Sequence, residues 1–279
     1  MPAPVDPRPI GMFDSGFGGL TVARAFIDLL PHEDLVYVGD TGRYPYGPRP
    51  LGEVASFAHE IARFLVDQHD IKLLVVACNT AAAAALDTLR AELAVPVLGV
   101  IEPGVRSLLR ATEHGRVAII GTVGTVGSGA YQAAVAAAGG GVELTLAACP
   151  GFVELVESGD TGSDQVHVLA ERLLAPVVDA DVDALLLGCT HYPYLARTIT
   201  DVVGRDVVLV SSADETAFEA FDLFQAGGTH DGRPLCSADP GRTGTHRFFS
   251  SGDVERFQDL GARLLGPELL AAERTPWAR

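Results

Sequence analysis

The chain has 279 residues, 48% of them hydrophobic and 20% charged, which suits about two globular domains with substantial cores. Its formal charge of −16 argues against a nucleic-acid backbone or an anionic membrane surface as a partner. Small anions stay open as ligands, because backbone N–H groups bind them locally against a global field.

The opening M-P-A-P-V-D-P-R-P is Pro-rich and lacks the apolar centre of a signal peptide. No apolar run approaches the roughly 18 residues of a spanning helix, so a cytoplasmic setting is expected. Ile10 to Phe13 reads as a strand running into D-S-G-F-G-G, Asp14 to Gly19, then a helix from Leu20 to Leu30 stopped by Pro31. A strand at Asp34 to Val38 leads into the Gly- and Pro-rich loop Gly39 to Pro50, and Glu53 to Gln68 has helical periodicity. Lys72 to Ala77 is the next strand; Cys78 ends it, and an alanine-rich helix follows to Leu93. Val95 to Val100 is a strand closing on Ile101-Glu102-Pro103-Gly104.

A second series begins with a strand at Arg116 to Ile120, the turn G-T-V-G-T and a helix near Ser128 to Ala138. After Gly139 to Gly141 come a strand at Val142 to Ala148 and the segment C-P-G-F-V-E-L-V-E. A helix from Gln165 to Ala180 precedes the apolar strand Leu185 to Leu187, which runs through Gly188 into Cys189, Thr190 and His191. A helix at Leu195 to Val203, a strand at Val207 to Val210 and a helix at Asp214 to Phe224 follow. A polar loop, a strand at His246 to Ser250 and a helix at Val254 to Leu265 close the chain.

Strand and helix alternate throughout, which predicts α/β architecture with mainly parallel sheets. Cys78 and Cys189 sit at matching points of two strand series. The expectation is therefore two similar α/β domains, related by pseudo-symmetry and facing each other across an active-site cleft. The first would comprise residues 1–99 and 209–279 and carry Asp14, Tyr46 and Cys78. The second would comprise residues 100–208 and carry Thr122, Glu157, Cys189 and His191.

The four cysteines form no C-x-x-C pair, which speaks against a zinc cage or a disulfide framework. Cys149 and Cys236 read as small buried hydrophobes. Cys78 and Cys189 read differently, because each ends a strand, precedes a polar residue and heads a helix, whose N-terminus lowers a thiol pKa. Ligands of open α/β sheets bind at strand carboxyl ends. Two thiols on opposing faces suit removal of a proton from one side of a carbon and delivery from the other, which is racemisation.

A cysteine hydrolase would instead need one Cys paired with a His beside an oxyanion hole. Two residues apart on a strand-to-helix turn, Cys189 and His191 are badly placed for direct contact, and Cys78 would be left without a role. An amino-acid-binding protein built on a two-domain cleft is the alternative outside the enzymes. Asp14 to Gly19 is a phosphate cradle or a tight turn; without a following Lys it is no P-loop. Gly121 to Thr125 is a structural turn or a ligand loop, and Tyr44 to Gly47 a rigid loop or a wall of the cleft.

Four segments carry a resemblance: F-D-S-G-F-G-G (Phe13 to Gly19), P-Y-G (Pro45 to Gly47), A-C-N-T-A (Ala77 to Ala81) and L-G-C-T-H-Y-P (Leu187 to Pro193). With them the chain resembles the glutamate racemases of the cofactor-independent aspartate/glutamate racemase superfamily, from about residue 10 to residue 265. The resemblance implies that Cys78 takes the α-proton of D-glutamate and Cys189 that of L-glutamate, each acting as the acid in the opposite direction. It implies that Asp14, Ser15, Tyr46, Gly47, Asn79, Thr80, Thr190 and His191 hold the substrate, with Thr122 and Thr125 as a secondary pair. Asp14 would support Cys78, while His191 and Glu157 would support Cys189. The His of C-T-H favours glutamate, since the aspartate branch typically carries an acidic residue there. No cofactor and no metal are implied, and a homodimer supplying D-glutamate to peptidoglycan synthesis is the family expectation; hydantoin or aspartate is the alternative substrate. Ser211, where members often have Asp, and Glu154, where Pro is common, depart from the pattern.

Overall fold

The computed structural model describes residues 5–139 and 141–277. The first four residues of the Pro-rich opening and the middle glycine of the Gly139–Gly141 turn lie outside the described residues. The first half of the chain runs β1 (Ile10–Asp14), α1 (Leu20–Leu29), β2 (Leu35–Gly39), α2 (Leu51–His69), β3 (Leu73–Val76), α3 (Asn79–Glu92), β4 (Val97–Gly99) and α4 (Ile101–Ala111). Then come β5 (Arg116–Gly121), α5 (Val123–Gly127), α6 (Ala130–Ala137), β6 (Glu143–Ala148), α7 (Phe152–Ser158), α8 (Asp164–Asp179) and β7 (Ala184–Gly188). A 3₁₀ turn (Tyr192–Leu195), α9 (Ala196–Val203), β8 (Val208–Val210) and α10 (Ala213–Ala226) follow. The chain ends with β9 (Thr229–His230), β10 (Arg233–Pro234), β11 (His246–Ser250), α11 (Val254–Leu265), a 3₁₀ turn (Gly266–Glu268) and β12 (Glu273–Arg274).

Two parallel sheets carry the molecule. One has the order β12-β11-β2-β1-β3-β4 and the other β6-β5-β7-β8. The order β2-β1-β3-β4 recurs strand for strand as β6-β5-β7-β8, so the expected pseudo-symmetry is present in the topology. In each unit the chain steps to one side of its first strand and then crosses to the other. With right-handed crossovers this puts helices on both faces and makes the central strand ends the crevice. Burial on both faces is why β1, β3 and β7 read as unbroken apolar runs: every residue of each is buried.

Near the C-terminal end, β11 pairs along β2 from His246↔Leu35 to Ser250↔Gly39. A boundary at residue 208 falls inside β8, however, whose Leu209 and Val210 pair with Leu185 and Leu186 in the four-stranded sheet.

Three local expectations need correction. Ile101-Glu102-Pro103-Gly104 opens helix α4 instead of merely closing a strand. Pro103 stands in the first turn, where its missing N–H is one of the donors without an intrahelical partner. The turn expected at Gly121 to Thr125 opens a short helix of its own, α5, and the helix expected near Ser128 to Ala138 starts only at Ala130, after Gly129, whose φ of +81° belongs to the left-handed region. Cys189 does not head a helix: the next turn begins at Tyr192 and is 3₁₀, with α9 starting only at Ala196.

At the far end of the six-stranded sheet, the Lys72 ammonium is fully buried 2.6 Å from the Glu33 carboxylate. It donates to the carbonyls of Asp6 and Cys236 at 2.8 and 3.0 Å, while Glu33 accepts from the Ala238 N–H. This pins the N-terminal and C-terminal segments beneath the strands.

Candidate active site

The carboxyl ends of β1, β3, β5 and β7 converge, and Asp14, Cys78, Thr122 and Cys189 arrive on them in turn. Ser15, Tyr46, Gly47, Cys78, Asn79, Thr80, Thr122, Cys189, Thr190 and His191 all line one cavity, together with Tyr44, Pro45 and Val153. Its volume is about 20 Å³, room for roughly one water molecule. A larger hollow of about 450 Å³ lies at the opposite end of the sheet, around Glu33 and Cys236, without paired chemistry.

Cys78 is the N-cap of α3, its sulfur accepting from the Ala81 N–H at 3.5 Å, and its thiol approaches the Ser15 hydroxyl at 3.8 Å. The expected drop in thiol pKa does not follow. Burial, then the nearby Asp14 carboxylate, push Cys78 up to about 12; the Ala81 N–H and the Ser15 hydroxyl offset this only in part. Cys78 is a thiol, hence an acid, in this closed state.

Cys189 reaches the His191 Nδ1 at 3.9 Å, so the thiol–imidazole contact discounted from the spacing does form. The irregular turn after β7 folds the two side chains to the same side, which a continuous helix start would not. His191 Nε2 lies 3.1 Å from the Glu157 carboxylate of α7. Burial opposes a charge on this ring, yet its hydrogen bonds to Cys189 and Glu157, joined by the charge of Asp14, lift His191 to about 10. The imidazolium is the form the site favours.

Asp14 makes no hydrogen bond to Cys78 among the described residues. One carboxylate oxygen accepts from the N–H groups of Gly16 and Gly19, at 3.0 and 3.1 Å, and the other from the Thr190 hydroxyl at 3.3 Å. It shapes the D-S-G-F-G-G turn and ties it to the Cys189 loop of the other sheet. A Cβ on Gly18 would lie 2.5 Å from the His191 Nδ1, which is why that turn meets the imidazole with bare backbone.

The hydroxyls of Thr80, Thr122 and Thr125 form a triangle with sides of 2.9 to 3.1 Å, joining α3 to the start of α5. The Gly47 carbonyl joins this junction, accepting from the Gly124 N–H at 2.9 Å, and a Cβ there would meet Thr122 at 2.8 Å. The loop after β2 is thus a wall of the cleft, and Gly121 to Thr125 its opposite side. The Tyr46 hydroxyl donates to the buried Asp40 carboxylate.

Some participants carry no motif. Tyr131 accepts from the Asn79 amide at 2.8 Å, and Phe17 packs its ring 5.3 Å from that of His191. An isolated aromatic opening a helix gives no sequence signal, whereas Phe17 lay in view inside the glycine-rich turn. Of the two departures, Ser211 accepts from the Ala213 N–H at 3.3 Å ahead of α10, and Glu154 stands in the first turn of α7. Cys149 is buried as a small apolar group, its thiol pushed up to about 12 by burial. Among the described residues no cluster of His, Cys, Asp and Glu is arranged to hold a metal, and no helix is long and apolar enough to cross a membrane.

The sequence profile of a family described as Asp/Glu/Hydantoin racemase matches residues 21–220. A glutamate racemase of Acidothermus cellulolyticus is 50% identical over 261 residues, 94% of this chain and 96% of that protein. Among solved structures, a glutamate racemase isoform from Bacillus anthracis superposes with a TM-score of 0.88 at 40% identity, covering 98% of this chain and 99% of that one. A glutamate racemase from Francisella tularensis, solved in complex with D-glutamate, superposes with a TM-score of 0.87 at 31% identity, again over 98% and 99%.

Proposed function

This chain belongs to the Asp/Glu/Hydantoin racemase family, and we propose that within it the reaction is the interconversion of L- and D-glutamate by proton transfer between Cα and two cysteines. The supporting observation is the placement of Cys78 and Cys189. They follow equivalent strands of two sheets with the same strand order, and both are buried against one cavity.

With glutamate seated between them, the thiolate of one takes the α-proton and the thiol of the other delivers a proton to the opposite face. Neither face needs a cofactor, because the negative charge developing at Cα and its carboxylate meets fixed donors. Ser15, Asn79, Thr80 and Thr190 supply those donors, and their hydrogen bonds to neighbouring groups hold them in place before substrate arrives. His191, charged and braced by Glu157, stabilises the Cys189 thiolate and positions its sulfur. Asp14 acts at one remove, fixing the turn that carries Ser15. Thr122 and Thr125 hold Thr80.

The Cys189–His191–Glu157 line also fits a nucleophilic cysteine, but a hydrolase leaves Cys78 unused. The identities above favour glutamate over aspartate or a hydantoin. The product would supply D-glutamate to peptidoglycan synthesis, from a cytoplasmic homodimer with no nucleic-acid or membrane partner. Proton NMR of L-glutamate in D₂O, with the purified protein and no additive, tests the reaction. Loss of the α-proton signal with formation of the D-enantiomer is expected; exchange confined to L-aspartate would overturn the substrate assignment.

A further inference from the structure

Beyond Glu157 the seam between the two halves opens into a surface cleft of about 300 Å³, lined by Phe17, Thr41, Glu154, Glu157, Arg256 and Leu260 among others. Tyr44 alone, among the described residues, lines both this cleft and the reaction cavity. Its ring bridges the seam. A Cβ on Gly16 of the first half would lie 3.6 Å from it, and its centroid is 6.3 Å from the His191 ring of the second.

The Tyr44 hydroxyl is buried and makes no hydrogen bond among the described residues. A buried hydroxyl without a partner forfeits its hydration and gains nothing in return. Tyr44 therefore stands in a position it can leave without breaking a bond, regaining water as it goes. Arg256 is, among the described residues, the single cation lining the cleft, beside the carboxylates of Glu154, Glu157 and Asp253; it is mostly exposed, lies 3.9 Å from the Glu157 carboxylate and donates to the Glu157 carbonyl at 3.5 Å. The reaction cavity admits about one water molecule, so a dicarboxylic amino acid passes only when a wall moves.

We propose that this cleft is the passage by which glutamate reaches and leaves the two cysteines, and that Tyr44 is its gate. This rests on the glutamate reading above. Arg256 meets a carboxylate of the incoming dicarboxylate, and the side chain of Tyr44 swings out of the seam to let it through. Closing again, the ring walls off solvent while the proton is in transit.

The test is the primary isotope effect on kcat/KM with glutamate deuterated at Cα, in three variants checked for retained fold by circular dichroism. Leu260→Trp narrows the cleft without touching the reaction cavity. It is expected to lower kcat/KM about fivefold and draw the isotope effect toward unity, because passage then outweighs proton transfer. Tyr44→Phe keeps the ring and removes the orphaned hydroxyl, so the gate stays shut longer and the isotope effect falls in the same sense. Tyr44→Ala removes the gate and raises the isotope effect toward its intrinsic value. An isotope effect equal to wild type in both Leu260→Trp and Tyr44→Phe would overturn the proposal, whatever Tyr44→Ala does to folding. Failure of the glutamate reading looks different: the wild-type protein would leave the α-proton of glutamate unexchanged.

Discussion

Each thiol in a two-base exchange must serve as base in one direction and acid in the other, so loss of either should disable both directions. Cys78→Ser and Cys189→Ser are each expected to lower racemisation by roughly 10²- to 10⁴-fold, the usual worth of a positioned acid–base group. Formation of the opposite enantiomer, followed by polarimetry, reads this, and a wild-type rate in both would remove the cysteines from the mechanism. The pH dependence should follow His191. Its imidazolium is held to about 10, against burial, by bonds to Cys189 and Glu157. Activity that needs the charged ring is retained below that value and lost as pH rises through it. Glu157→Gln takes away one of the groups that favour the charge, so the alkaline decline should move to lower pH. The pH profile of kcat/KM checks this, and an unmoved limb would assign the decline to another group. Both cysteines were legible in the sequence from strand, polar pair and small residues alone. The raised Cys78 pKa was not, since it depends on burial and on Asp14, a residue of another strand.

At the scale of elements, the first-half loops are fastened to the second half at bare backbone. Gly47→Ala would drive a Cβ to 2.8 Å from the Thr122 side chain, and overpacking of this kind costs about 1–3 kcal/mol. The expected result is a KM for glutamate about tenfold higher with a smaller change in kcat, because the wall is displaced and the thiols are not. Steady-state kinetics decide it; equal losses in kcat and kcat/KM would mean that the loop positions the reacting groups instead. Most elements were readable because strands buried on both faces are continuous apolar runs, and α2 shows its periodicity. Helix α4 was hidden by Pro103-Gly104, a breaker pair that the first turn of a helix tolerates. The Cys189–His191 contact was hidden by an irregular turn whose path no local rule fixes.

For the molecule as a whole, the buried Lys72–Glu33 pair stabilises through its context, since a lone charge left inside is far costlier than the pair. Lys72→Met should lower the unfolding free energy by about 3–5 kcal/mol. Adding Glu33→Gln should restore more than half, because the amide oxygen still accepts from the Ala238 N–H without a charge. Urea midpoints measure both, and a double variant no more stable than Lys72→Met would refute the charge argument. Glutamate turnover well below the melting range should persist in both variants, as the pair sits at the end of the sheet remote from the cavity.

The two thiols of this molecule are unequally housed. One caps a helix and is pushed toward its neutral form, while the other rests against a cation. Yet L- and D-glutamate are mirror images of identical free energy in water, and detailed balance forces kcat/KM to be the same for both at every pH. The inequality of the sulfurs can therefore never appear as a preferred direction. It survives only in how each enantiomer divides a common ratio between turnover and saturation, so the hand that binds more tightly must also be the hand that turns over more slowly.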